Sequence, residues 1–153
     1  MSELLQKLST YNIFNYLFPG VVFVILLNRY TKINLAVDDV ILGMFLYYFF
    51  GLGSILIEPA LRCTKIVEFS DYARFIRASK LDDKIELLSE VNNMHRTIIA
   101  MLGVLLVISI CNGSATCRLT AGFLGLVILF ILSYRKQTSF ITKRIDETLR
   151  NTP

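Results

Sequence analysis

The sequence predicts an all-α fold: an integral membrane four-helix bundle with a cytoplasmic helical hairpin between spans 2 and 3. Three observations predict it. The 153 residues are 54% hydrophobic and 18% charged, with a mean hydropathy of +0.58, whereas soluble domains run at about 45–50% apolar and about 25% charged. Four stretches, 8–28, 40–57, 97–117 and 119–134, contain no charged residue. The 16 Lys and Arg are divided very unevenly among the segments that join those stretches.

The first stretch, Leu8 to Asn28, holds 21 residues. At about 1.5 Å rise per residue, roughly 20 apolar residues cross a hydrocarbon core of about 30 Å. Pro19-Gly20 interrupts this stretch midway and no small-x-small cleavage pattern follows it, so an uncleaved span is expected rather than a signal peptide. The second stretch, Val40 to Ile57, has 18 residues and the third, Thr97 to Cys117, has 21. The fourth, Leu119 to Tyr134, has 16; Arg135 and Lys136 extend it by keeping their charges at the interface on long stems. The whole chain, 1–153, reads as one transmembrane domain, with a cytoplasmic helical segment over 58–96 and a basic cytoplasmic tail over 135–153.

Orientation follows from the bases. With four spans, the N-terminus, the middle segment and the tail share one side and carry 13 Lys and Arg; the other side has Arg29, Lys32 and Arg118. Positive residues stay inside, so both termini are expected in the cytoplasm of a bacterial inner-membrane protein.

The middle segment has seven acids against seven bases. Ser70 reads as an N-cap with Asp71 in the first turn, followed by a short helix to about Ser79. A second helix is expected from Asp82 or Asp83, with Ile85, Leu88 and Val91 at helical spacing. Neither Gly nor Pro separates it from Thr97, so a continuous helix from Asp83 to about Ile110 is expected. Such a pair is either a solvated hairpin across the bundle base or a docking surface, whose candidate partner-binding bases are Arg74, Arg77, Lys80 and Lys84.

The chemistry legible in the spans is sparse. None contains Asp, Glu, Lys, Arg or His, the usual marks of proton relays and ion-coupled transport. A passive pore lined by Ser, Thr or backbone carbonyls remains open. The single His95 and the three Cys offer no metal-ligand spacing, and no Gly-rich phosphate loop is present. No catalytic, cofactor-binding or metal-binding residue is therefore assigned, and no cofactor. Glu58-Pro59 reads as a helix break with a local ion pair to Arg62, or as a structural latch from Glu58 to Arg96 that ties the second and third spans. Cys111 and Cys117 flank Asn-Gly-Ser-Ala-Thr; five intervening residues can close a disulfide on an oxidising side, and either thiol can equally be a small apolar filler. Gly43, Gly51, Gly103 and Ala121-x-x-x-Gly125 permit close helix approach, so a homo-oligomer is expected, a tetramer being one order compatible with it. Besides the lipid bilayer, the expected partner is a soluble cytoplasmic protein, without direct nucleic-acid contact.

Four motifs carry a resemblance: Asn12-Ile-Phe-Asn15-Tyr-Leu-Phe-Pro19-Gly20, Gly53-Ser54-x3-Glu58-Pro59, Asp71-Tyr72-x2-Phe75 and Asn92-Asn93-Met-His-Arg96-Thr97. Over about residues 10 to 110 the chain resembles small four-span bacterial inner-membrane proteins of anti-phage defence clusters, the membrane subunits of Kiwa-type systems among them. That resemblance implies a non-enzymatic sensor or anchor subunit, oligomeric, that recruits a soluble partner through residues Arg62 to Arg96 and the basic tail. The alternative class is a pore-forming effector or small passive channel that depolarises the membrane.

Overall fold

The computed structural model describes residues 17–35, 43 and 70–151. Among these, the chain forms four α-helices and no strand: α1 Phe18–Tyr30, α2 Tyr72–Ser79, α3 Asp83–Cys111 and α4 Cys117–Arg150. Apart from Gly43, the expected second span lies outside the described residues, as do Glu58 and Arg62. The all-α class is therefore observed, and α3 and α4 are long and apolar enough to cross a membrane.

Each helix boundary has a local cause. Pro19 sits in the first turn of α1, where its fixed φ and missing N–H do no harm. The helix thus begins at the Pro-Gly pair that interrupts the first apolar stretch. It closes at Thr31, whose N–H and hydroxyl both donate to the Leu27 carbonyl, at 2.9 and 2.7 Å. The N-cap of α2 is Asp71, not Ser70 as the capping preference suggested, and its side chain makes no cap hydrogen bond. Asp82 caps α3 by accepting from the Lys84 N–H at 3.1 Å, with Asp83 and Glu86 in the favourable first turn. The expected continuous helix from Asp83 to about Ile110 is found at Asp83–Cys111.

The third uncharged stretch runs on to Cys117, but the helix does not. Gly113 adopts φ +61°, the left-handed conformation that favours glycine. Its N–H donates to Ile110 at 3.1 Å while the Ser114 N–H reaches back to Ser109 at 3.0 Å. This pair of bonds satisfies the last carbonyls of α3 and stops it. Thr116 then caps α4 by accepting from the Leu119 N–H at 3.3 Å.

The uncharged stretch ends at Tyr134 with a basic tail expected beyond it, and α4 departs from that expectation. It continues unbroken through residues 135–150, so the basic segment is the second half of a helix about 51 Å long rather than a tail. The reason lies in Ile141, Ile145 and Leu149, spaced four apart. With Phe75 and Ala78 of α2, and Ile85 and Leu88 of α3, they build an apolar core. Ala78, Ile85 and Ile145 are wholly buried. This three-helix module joins α2, the charged half of α3 and the charged half of α4.

The apolar halves pack less fully. Phe23, Val24 and Leu27 of α1 meet Met101 and Leu105 of α3, and Ile99 of α3 meets Tyr134 of α4. The Tyr30 and Phe123 rings form an edge-to-face pair with centroids 6.0 Å apart. Leu124, Leu126, Ile128, Leu129 and Leu132 of α4 remain exposed, an apolar surface that water would not favour.

Candidate functional site

Polar residues occupy the core-facing positions where the apolar halves of α3 and α4 become charged. On α3, the face that carries Ile85 and Ile99 also carries Ser89, Asn92 and Arg96, at intervals of three and four. On α4, Thr138 falls between buried Tyr134 and Ile141. The two helices therefore meet through hydrogen bonds at this level. Asn92 Nδ2 donates to Thr138 Oγ1 at 3.0 Å, and the Thr138 hydroxyl donates to the Tyr134 carbonyl at 2.9 Å. Both side chains are buried, which makes their mutual satisfaction obligatory. One turn nearer the apolar half, His95 Nδ1 donates to the Val91 carbonyl at 2.8 Å. That bond leaves Nε2 of a neutral ring to accept from the Ser133 hydroxyl at 3.0 Å. The Phe130 ring lies against the imidazole, centroids 5.9 Å apart.

Beside this band lies an open cleft of about 260 Å³ between α2, α3 and α4. Asn92, Asn93 and Arg96 line it from α3, Tyr134 and Thr138 from α4, and Tyr72 from α2. Arg96, expected in a latch with Glu58, is half-buried in this wall; its proposed partner lies outside the described residues.

Two long-range ion pairs fasten the module. Arg144 Nε donates to Asp82 Oδ2 at 2.6 Å. The Asp82 carboxyl is held below the usual carboxylate range chiefly by this hydrogen bond, assisted by the Lys84 N–H; Arg144 is raised by the same bond. Arg74 Nη2 donates to Asp146 Oδ1 at 2.7 Å. Glu90 shifts the other way, raised by burial and then by the neighbouring Glu86 charge.

Those contacts sort the bases expected to bind a partner. Arg74 is committed to Asp146, although its side chain keeps 49% of its surface exposed. Arg77, Lys80 and Lys84 are exposed, and none of them lines the cleft. Cys111 and Cys117 are free, exposed thiols at the two ends of the turn between α3 and α4, so the considered disulfide is not formed. Among the described residues no group of His, Cys, Asp and Glu gathers as a metal site.

Composition and charge did not single out Asn92, Ser133 and Thr138, which make the polar contacts between α3 and α4. For Ser133 and Thr138 the only signal was position, small polar side chains on a face otherwise read as core, while Asn92 entered through the motif Asn92-Asn93-Met-His-Arg96-Thr97. Comparison with protein-family models, with curated proteins and with solved structures finds no match.

Proposed function

We propose that this chain is a non-enzymatic anchor or sensor subunit of a bacterial inner membrane, which presents a rigid helical module to a soluble cytoplasmic partner. In this reading both termini and the middle segment are cytoplasmic, four spans cross the bilayer, and several copies associate. The observation that supports it best is the continuity of α3 and α4. Each runs without a break from an apolar half into a charged half, and α2 clamps the two charged halves together. A displacement of the apolar helices would carry the module with it, because no hinge residue intervenes. The resemblance to membrane subunits of anti-phage clusters supplies the biological setting, in which the module recruits the product of a neighbouring gene.

The partner would meet Arg77, Lys80 and Lys84, which project from the α2–α3 corner without a described ion pair. Charge complementarity there would set both encounter rate and specificity. The test is phage challenge of cells that carry the chain with its flanking genes. Arg77→Glu, Lys80→Glu and Lys84→Glu together should abolish protection and crosslinking to the neighbouring product, with membrane insertion unchanged. Unaltered protection and crosslinking would refute the reading. So would robust ion conductance by the purified chain alone in liposomes, which is the behaviour of a pore.

A further inference from the structure

The charged halves of α3 and α4 have outer edges of opposite sign. Asn92 and His95 bond to α4. At about 100° per residue, the edge of α3 turned away from α4 therefore carries Asp83, Leu87, Glu90 and Met94. These are four, three and four residues apart, and Glu86 flanks them. Ser133 and Thr138 bond to α3, so the far edge of α4 carries Leu132, Lys136, Ser139 and Lys143 at the same spacing. All are exposed except Glu90 and Met94, which are half-buried. Asp146 and Glu147, the acids of α4, lie beside Arg74 and Arg144, which leaves the α4 edge basic.

The two edges also match in height. The Asn92–Thr138 and His95–Ser133 bonds set a register that puts Leu87 level with Lys143, Glu90 with Ser139 and Met94 with Lys136. Copies that share one orientation in the membrane share these heights. The α3 edge of one copy then fits the α4 edge of the next. Leu87 and Met94 would cover the lysine stems, leaving the ammonium groups at the solvated rim, and Glu90 would fall between Lys136 and Lys143. A neighbouring lysine would relieve the repulsion that Glu86 exerts on Glu90. Pairing like edges about a two-fold axis would instead set acids against acids, which is unfavourable. We infer that copies of this chain associate head to tail, the Asp83–Met94 edge of α3 in one against the Leu132–Lys143 edge of α4 in its neighbour. Contacts of this kind close into rings. The inference rests on the membrane orientation and the association of copies proposed above.

The test uses the full chain in membranes with its three Cys replaced by Ser. Leu87→Cys is placed in a copy with one tag and Ser139→Cys in a co-expressed copy with another. A short bismaleimide should join the two kinds of copy, and neither kind to itself. Glu90→Lys in the first copy, or Lys136→Glu in the second, should each lower the yield about fivefold. Both together should restore it to within about twofold. Joining of like with like, no joining, or a combined swap no better than either reversal would overturn the contact. Native mass spectrometry of the unmodified chain in detergent separates the proposals. An oligomer whose copies are not joined from Leu87→Cys to Ser139→Cys refutes this contact alone, and a monomer refutes the association of copies with it.

Discussion

Replacing Ile145 by Ala tests whether residues 135–150 are a docked helix or a free basic segment. Ile145 is 0% exposed, and its cluster includes Ala78, Ile85 and Ile141. The change removes three carbon groups, about 2.4 kcal/mol at about 0.8 kcal/mol for each. The residual cavity adds to this, which places the loss near 3 kcal/mol, inside the range of about 2–5 kcal/mol for such truncations. If the module opens locally, that loss raises its open population on the order of 100-fold. Hydrogen exchange of the full chain in detergent reads the effect directly. Amides between about 139 and 150 should exchange on the order of 100-fold faster in Ile145→Ala, while those of α1 are unchanged. Lys143→Ala, which removes an exposed base two residues away, should shift exchange by less than about twofold, as surface substitutions do. Rapid exchange over 139–150 in the unmodified chain, or no difference between Ile145→Ala and Lys143→Ala, would refute the docked helix.

Two further outcomes follow from the polar contacts. Thr138→Val strands the buried Asn92 amide and should lower thermal stability by about 1–3 kcal/mol, whereas Asn92→Leu combined with Thr138→Val should recover most of that loss. Calorimetry of the detergent-solubilised single and double variants checks the non-additivity. The Asp82 carboxyl, depressed by Arg144, contributes stability that is complete above its unfolded value of 3.8 and is lost as pH falls through the lower folded value. The clasp should therefore persist at neutral pH and open only in strong acid. Asp82→Asn should remove that acid dependence, as read by exchange at the start of α3.

The apolar stretches were easy to read because a lack of charge over 16 to 21 residues is a local property. So was the onset of α3 at Asp82, where a capping side chain and an acidic first turn coincide. The docked half of α4 was harder. Arg135, Lys136, Lys143, Arg144 and Arg150 dominate its composition and suggest solvent. Ile141, Ile145 and Leu149 nevertheless recur every four residues, the spacing of a single buried stripe. The helix end expected near Ile110 is found at Cys111, six residues before the uncharged stretch itself ends at Cys117, because a left-handed Gly113 stops the helix inside that stretch. The site itself depends on pairings that span 46, 62 and 72 residues. Nothing local distinguishes an Asn that will meet a distant Thr from one that faces water. Arg74 shows the same limit: composition marked it as a free base, and only the packing of α2 against α4 brings Asp146 to it.

The claim that α3 and α4 cross the bilayer and end in a shared cytoplasmic module is tested most directly by thiol labelling in spheroplasts. Cys111 and Cys117 are free and exposed at one end of the helix pair, and Lys143 is exposed near the other. With Cys63 replaced by Ser, a membrane-impermeant maleimide should label Cys111 and Cys117 in intact cells. In a chain whose other Cys are also replaced by Ser, the thiol introduced by Lys143→Cys should react only after permeabilisation. Labelling of both ends in intact cells, or of neither until the cells are opened, would contradict the account.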